Sequence, residues 1–158
     1  MTIETPVSSA QFDTWVIEHP DESYELINGR IALVVSNSPA SRIAFKIGGF
    51  LFVYLQDHPI GEATGADGGY QIGNERYISG VAFIRTERQV PDASGGYYPV
   101  APDLAVEVIS NPQNTQEMRD LRVKIGYYTA AGTVVWVVDP DAQAIEVYQS
   151  GQPTQVYT

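Results

Sequence analysis

The stretch Pro102 to Ser110, PDLAVEVIS, constrains the fold of this chain more than any other. An apolar run of this length, closed by Ser110-Asn111-Pro112, reads as a strand buried on both faces in the middle of a sheet. Glu107 lies inside it. An ionised carboxylate in that position forfeits several kcal/mol of solvation, so a cation, a hydrogen-bond network or a raised pKa has to accompany it.

Downstream, Thr115 to Ala131 shows a helical stripe of Met118, Leu121, Ile125 and Tyr128, with Gly132 as its stop. Lys124 projects about 80° from the centre of that stripe, at the margin between core and solvent, from where a long side chain can reach back to the sheet. An ordinary surface ion pair with Asp120, one turn earlier, is the competing reading. Thr133 to Val138, TVVWVV, is a second strand apolar on both faces. Strand, helix and strand from 103 to 138 form a right-handed parallel crossover, so the expected class is α/β with a mixed sheet. At 158 residues the chain is a single domain, spanning residues 1–158.

The N-terminal half supplies further elements. Ser9 to His19 reads as a short amphipathic helix ended by Pro20. YELI and RIALVV, joined by Asn28-Gly29, form a hairpin that carries Glu25, as a solvated residue on its open face or as part of a site. Ser38-Pro39 signals a helix start, and the helix should run to about Asp57. It is apolar nearly all round, with Phe45 and Phe52 opposite its main stripe, so it is buried in the fold or covered by a second subunit. Gly48-Gly49 weakens it by about 1 kcal/mol per glycine, which makes sense where another backbone packs closely. This helix is the expected homodimer surface. GEATGADGGYQIG, from 61 to 73, lacks the Lys-Ser/Thr of a phosphate loop and reads as turns between short strands. Tyr77 to Ile84 reads as one strand in which Gly80 is out of place. A loop from 85 to 100 follows, with Tyr97 and Tyr98 as a lid or rim. Ala144 to Tyr148 and the final QVYT read as strands.

Composition removes several function classes. With no cysteine, disulfides, thiolate metal sites and cysteine nucleophiles are excluded. No signal peptide or membrane-spanning run is present in the sequence, so a cytoplasmic protein is expected. The net charge of -10, with only nine basic residues, predicts weak and salt-sensitive binding to nucleic acid. His19 and His58 fall in no metal-binding spacing, and no nucleophile elbow surrounds a serine. Asp103 and Glu107, on one strand face, stand ~13 Å apart at ~3.3 Å per residue, too far to hold one ion.

Taken in order, PDLAVEVIS-NP, the helix with KIGYYTAAG, the VVWVVDP strand, the IEVY strand and the upstream YELINGRI hairpin resemble the Uma family of endonucleases, in the PD-(D/E)xK restriction-endonuclease-like superfamily. The resemblance covers residues 20 to 150. It implies a mixed sheet flanked by helices, a magnesium ion and hydrolysis of DNA phosphodiester bonds. By position, it implies Glu107 as metal ligand and Lys124 as the lysine that positions the attacking water or offsets charge on the phosphate. Glu25 then holds a water at the ion or hydrogen-bonds its neighbours, and Ile109 stands where the superfamily more usually has its lysine. Where the family's strand reads Ser-Pro-Asp-Val-Ala-Phe, this chain has Ile78-Ser79-Gly80-Val81-Ala82-Phe83, with glycine in place of the main metal-binding aspartate. The histidine common near the start of the family's second helix is also missing from Pro39-Ala40-Ser41-Arg42. An impaired magnesium-dependent endonuclease and a non-catalytic dimerising or partner-binding protein on the same fold are therefore both expected readings. A small-molecule binder using Tyr97 and Tyr98 is a third. The resemblance also leads one to expect a further C-terminal stretch.

Overall fold

The computed structural model describes residues 5–34, 36–91 and 95–158. Helix α1 (Ser9–Ile17) begins at a capping box in which Ser8 and Gln11 satisfy each other's backbone amides. Strands β1 (Tyr24–Ile27) and β2 (Arg30–Leu33) form the hairpin, with Asn28 and Gly29 both at positive φ as its two-residue turn demands. Helix α2 (Ser38–Asp57) carries proline in its first turn, but its cap is Asn37, one residue before the expected Ser38, whose side chain accepts from the Ala40 amide at 3.0 Å.

Next come β3 (Gly61–Thr64), β4 (Gly69–Ile72), β5 (Glu75–Ile78), β6 (Val81–Arg85) and a 3-10 turn at Thr86–Arg88. Then β7 (Leu104–Val108), α3 (Thr115–Ala130), β8 (Val134–Asp139), β9 (Ala144–Tyr148) and β10 (Gln155–Tyr157) complete the order. Among the described residues no helix is long and apolar enough to cross a membrane.

Two sheets result, where the sequence suggested one. The larger runs β10-β9-β8-β7-β6-β3, antiparallel except for the β7/β8 pair that α3 connects, and β7 lies inside it as expected. The smaller runs β2-β1-β5-β4. The stretch 77–84 is not one strand: the chain leaves the small sheet after Ile78, turns at Ser79-Gly80 and enters the large sheet at Val81. The physical reason is visible at Gly80, whose amide donates to the Val106 carbonyl at 3.0 Å. A Cβ there would lie 3.3 Å from Ala44 Cβ and 3.4 Å from that carbonyl oxygen, so the crossing is tight for any side chain.

The large sheet has two covered faces. On one, Ala105, Ile109, Val135 and Val137 pack with Tyr128 of α3 and with Ile27, Ile72 and Tyr77 of the small sheet. On the other, Val81, Val106 and Val138 meet Ile43, Ile47 and Leu51 of α2. Burying these branched side chains, at about 1.5–3 kcal/mol each, is what holds the layers together. Among the described residues the outer side of α2 has no such cover: Phe45 is 83 % exposed, Phe50 79 % and Phe52 61 %.

Candidate functional site

Glu25 sits in the middle of β1 and is 7 % exposed, so the solvated-hairpin reading does not hold. Its Oε1 accepts from the Ile78 amide at 2.8 Å, at the point where β5 ends. Glu107 sits in β7 and Lys124 in α3, which the crossover lays over the same face of the sheet. The Lys124 ammonium donates to Glu25 Oε1 at 2.7 Å and stands 2.6 Å from Glu107 Oε1. Among the described residues the Glu107 Oε1 has no aligned hydrogen bond, so that approach is a contact of charges. Asp120 is not the lysine's partner; it pairs with Arg30 of β2. The Tyr77 ring lies below the ammonium, 5.5 Å from Nζ to its centroid.

The electrostatics follow from one buried ammonium facing two carboxylates. Burial pushes the Glu107 pKa up to about 7; the Lys124 charge opposes this and the Glu25 charge adds to it. Burial disfavours the Lys124 ammonium, but Glu107 and Glu25 outweigh it and raise its pKa above the ordinary lysine range. Glu107 therefore takes up a proton near neutral pH while Lys124 stays charged.

The cluster forms the inner wall of a cavity of about 300 Å³ between β1, β2, β7 and α3. Sequence reasoning did not single out several groups here. Glu117, in the first turn of α3, accepts from the Ser110 amide at 2.8 Å and the Ser110 hydroxyl at 2.9 Å, tying the end of β7 to the helix. Tyr128, one turn after Lys124, is fully buried and places a hydroxyl without a hydrogen-bond partner, among the described residues, in the field of Glu107. Its spacing of four from Lys124 was the available signal.

A second cavity, of about 610 Å³, lies on the α2 side and is lined by Phe45, Gly48, Phe52, Gly80 and Glu107 among others. Glu107 thus borders both cavities, whereas Gly80 borders only the second. Asp103 lies just before β7 and is occupied elsewhere, accepting from the Arg85 amide at 2.8 Å and meeting Arg88 at 3.0 Å. Ile109 is a core residue. His19 stacks on Trp15 and His58 on Tyr54, each at the end of its helix. Tyr97 donates its hydroxyl to the Tyr24 carbonyl, and the Tyr98 hydroxyl accepts from the Val90 amide at 2.6 Å, so both aromatic side chains are engaged within the fold.

Magnesium takes oxygen ligands in octahedral geometry and can be held by one or two carboxylates plus waters. Among the described residues, no three His, Cys, Asp or Glu side chains converge as such a set. The two carboxylates that do come together share an ammonium of the chain itself, and glycine stands at position 80. These residues do not fit a tightly held magnesium ion.

Several comparisons bear on this arrangement. No curated protein matches the chain. The crystal structure of a putative nuclease belonging to DUF820 from Anabaena variabilis superposes with a TM-score of 0.78 at 20% identity, covering 96% of this chain and 84% of that one. At that identity the likeness establishes the fold, which is restriction-endonuclease-like. A family model described as Uma2, putative restriction endonuclease, matches residues 9–158. The chain belongs to the Uma2 family of putative restriction endonucleases.

Proposed function

We propose that this chain is a cytoplasmic DNA endonuclease whose magnesium-dependent hydrolysis of phosphodiester bonds is impaired by glycine at position 80. The observation that carries the reading is the meeting of Glu25, Glu107 and Lys124 at the wall of one cavity, Glu25 coming from a strand 99 residues before Lys124. Buried titratable groups that shift one another's pKa are characteristic of chemical sites. Lys124 supplies a fixed positive charge that can face a phosphate oxygen. Glu25 holds that ammonium in place through its own anchor on the Ile78 amide. Glu107, bordering both cavities, is the carboxylate that can exchange a proton near neutral pH or take up magnesium weakly. The net charge of -10 makes DNA binding weak and strongly salt-dependent.

A second reading, a non-catalytic partner-binding protein on the same fold, draws on the exposed phenylalanines of α2, and in either case the chain associates as a homodimer through that helix. Conversion of supercoiled plasmid to nicked and linear forms separates the two. With magnesium at low salt, slow conversion that Glu107→Ala and Lys124→Ala each abolish is the expected outcome. Fast conversion indifferent to Glu107→Ala would place the chemistry elsewhere, and no conversion by any variant favours the second reading.

A further inference from the structure

The outer face of α2 carries a second apolar stripe. Phe45, Gly49, Phe52 and Gln56 follow one another at spacings of four, three and four, with Val53 four residues after Gly49, so they lie along one side of the helix, turned away from Ile47 and Leu51 on the sheet side. Phe45, Phe52 and Val53 are 83, 61 and 63 % exposed, and Phe50 beside them 79 %. At roughly 200 Å² per aromatic ring Phe45 and Phe52, with Val53, present on the order of 400 Å² of apolar surface per copy. That exceeds the isolated apolar residues normal on a monomer and is about half of the ~800 Å² each partner contributes to a standard interface.

We propose that this stripe is the contact between two copies of the chain, with the α2 helices antiparallel about a two-fold axis near Gly49; this rests on the homodimer part of the reading above. Three features select the second copy and the direction. The helix runs from Ser38 to Asp57, so an axis near Gly49 overlaps almost its whole length. Among the described residues nothing lies within 4 Å of where the Gly49 Cβ would be, so the glycine leaves room there for a second backbone. The charges are complementary only head to tail: Arg42 and Lys46 lie towards one end and Asp57 at the other, so an antiparallel pair sets Arg42 of one copy near Asp57 of its mate, whereas a parallel pair sets like beside like. The contact is isologous and therefore closes as a dimer. Phe45 and Phe52 also wall the cavity beside Gly80 and Glu107, so association covers that cavity from outside.

The test is the mass of the full chain by sedimentation equilibrium, together with a cysteine probe, which the absence of native cysteine makes unambiguous. Wild type should sediment at twice its 17.3 kDa. The double variant Phe45→Lys/Phe52→Lys, which the two-fold axis sets against each other and against Lys46 of the mate, should sediment at the single mass with an unchanged circular dichroism spectrum, since both side chains are exposed. Gly49→Cys should form an interchain disulfide under mild oxidation, because the axis brings its two copies within bridging distance. A dimer that survives the double variant and leaves Gly49→Cys reduced overturns the α2 contact while sparing the homodimer. A single mass for wild type overturns both and points to a different protein as the occupant; neither result alters the plasmid assay.

Discussion

Glu25 and Lys124, 99 residues apart in sequence, meet at 2.7 Å inside the protein. The strand that carries the acid belongs to the small sheet, and the helix that carries the lysine covers the large one, so the contact fastens the two layers. It is also the only hydrogen bond that the ammonium makes, among the described residues, to a member of the cluster.

Removing the cation should cost more than removing either anion. Lys124→Met leaves Glu25 and Glu107 buried with no counter-charge, and breaking a buried pair in this way typically costs about 3–5 kcal/mol. Urea unfolding of Lys124→Met should show that loss, while Glu107→Gln, which keeps a neutral group of the same shape, should lose far less. Equal losses would mean that the carboxylates are not jointly neutralised by the lysine.

Stability should vary with pH through Glu107 in a defined direction. Its folded pKa is raised from 4.5 to about 7, so the folded chain binds more protons than the unfolded chain between those values. The favourable contribution is full below about pH 4.5 and is lost as pH rises towards 7. The raised pKa of Lys124 acts at the alkaline end, where its contribution persists through the ordinary lysine range and disappears above it. The difference in unfolding free energy between wild type and Glu107→Gln should thus shift against wild type from pH 4.5 to 7. A difference that is flat across this window contradicts the shift.

Restoring an acid at position 80 should strain the crossing. A Cβ there meets Ala44 at 3.3 Å and the Val106 carbonyl at 3.4 Å, and overpacking of this kind costs about 1–3 kcal/mol. Gly80→Asp should unfold at lower urea than wild type. Ala44→Gly should cost about 1 kcal/mol alone, as glycine does within a helix, but less in the Gly80→Asp background. Strict additivity in that double-mutant cycle would show that Ala44 is not what crowds the site.

Much of this arrangement could be read from the chain alone, because its signals are local. Asn28-Gly29 dictates a hairpin, PDLAVEVIS and TVVWVV dictate buried strands, and the 3.6-residue pattern places Lys124 at the edge of the α3 stripe. Glu25 was ambiguous since exposure of a strand residue depends on what covers the sheet, and α3 lies some ninety residues later. The break at Ser79-Gly80 was hidden because β5 and β6 are both apolar, and apolarity does not say which sheet a strand joins. Tyr128 read as core because its ring is core; only its hydroxyl belongs to the cluster. For α2 the sequence left two readings open, burial in the fold or cover by a second subunit; among the described residues its outer side is exposed.

Magnesium titration followed by calorimetry tests most directly whether glycine at position 80 is what impairs the site. Wild type should bind magnesium weakly, Gly80→Asp more tightly by at least roughly tenfold, since even supporting groups around a metal change affinity by 10- to 100-fold. Adding Glu107→Ala to Gly80→Asp should remove the gain. Tight binding by the wild-type chain, or a gain in Gly80→Asp that persists without Glu107, contradicts the account.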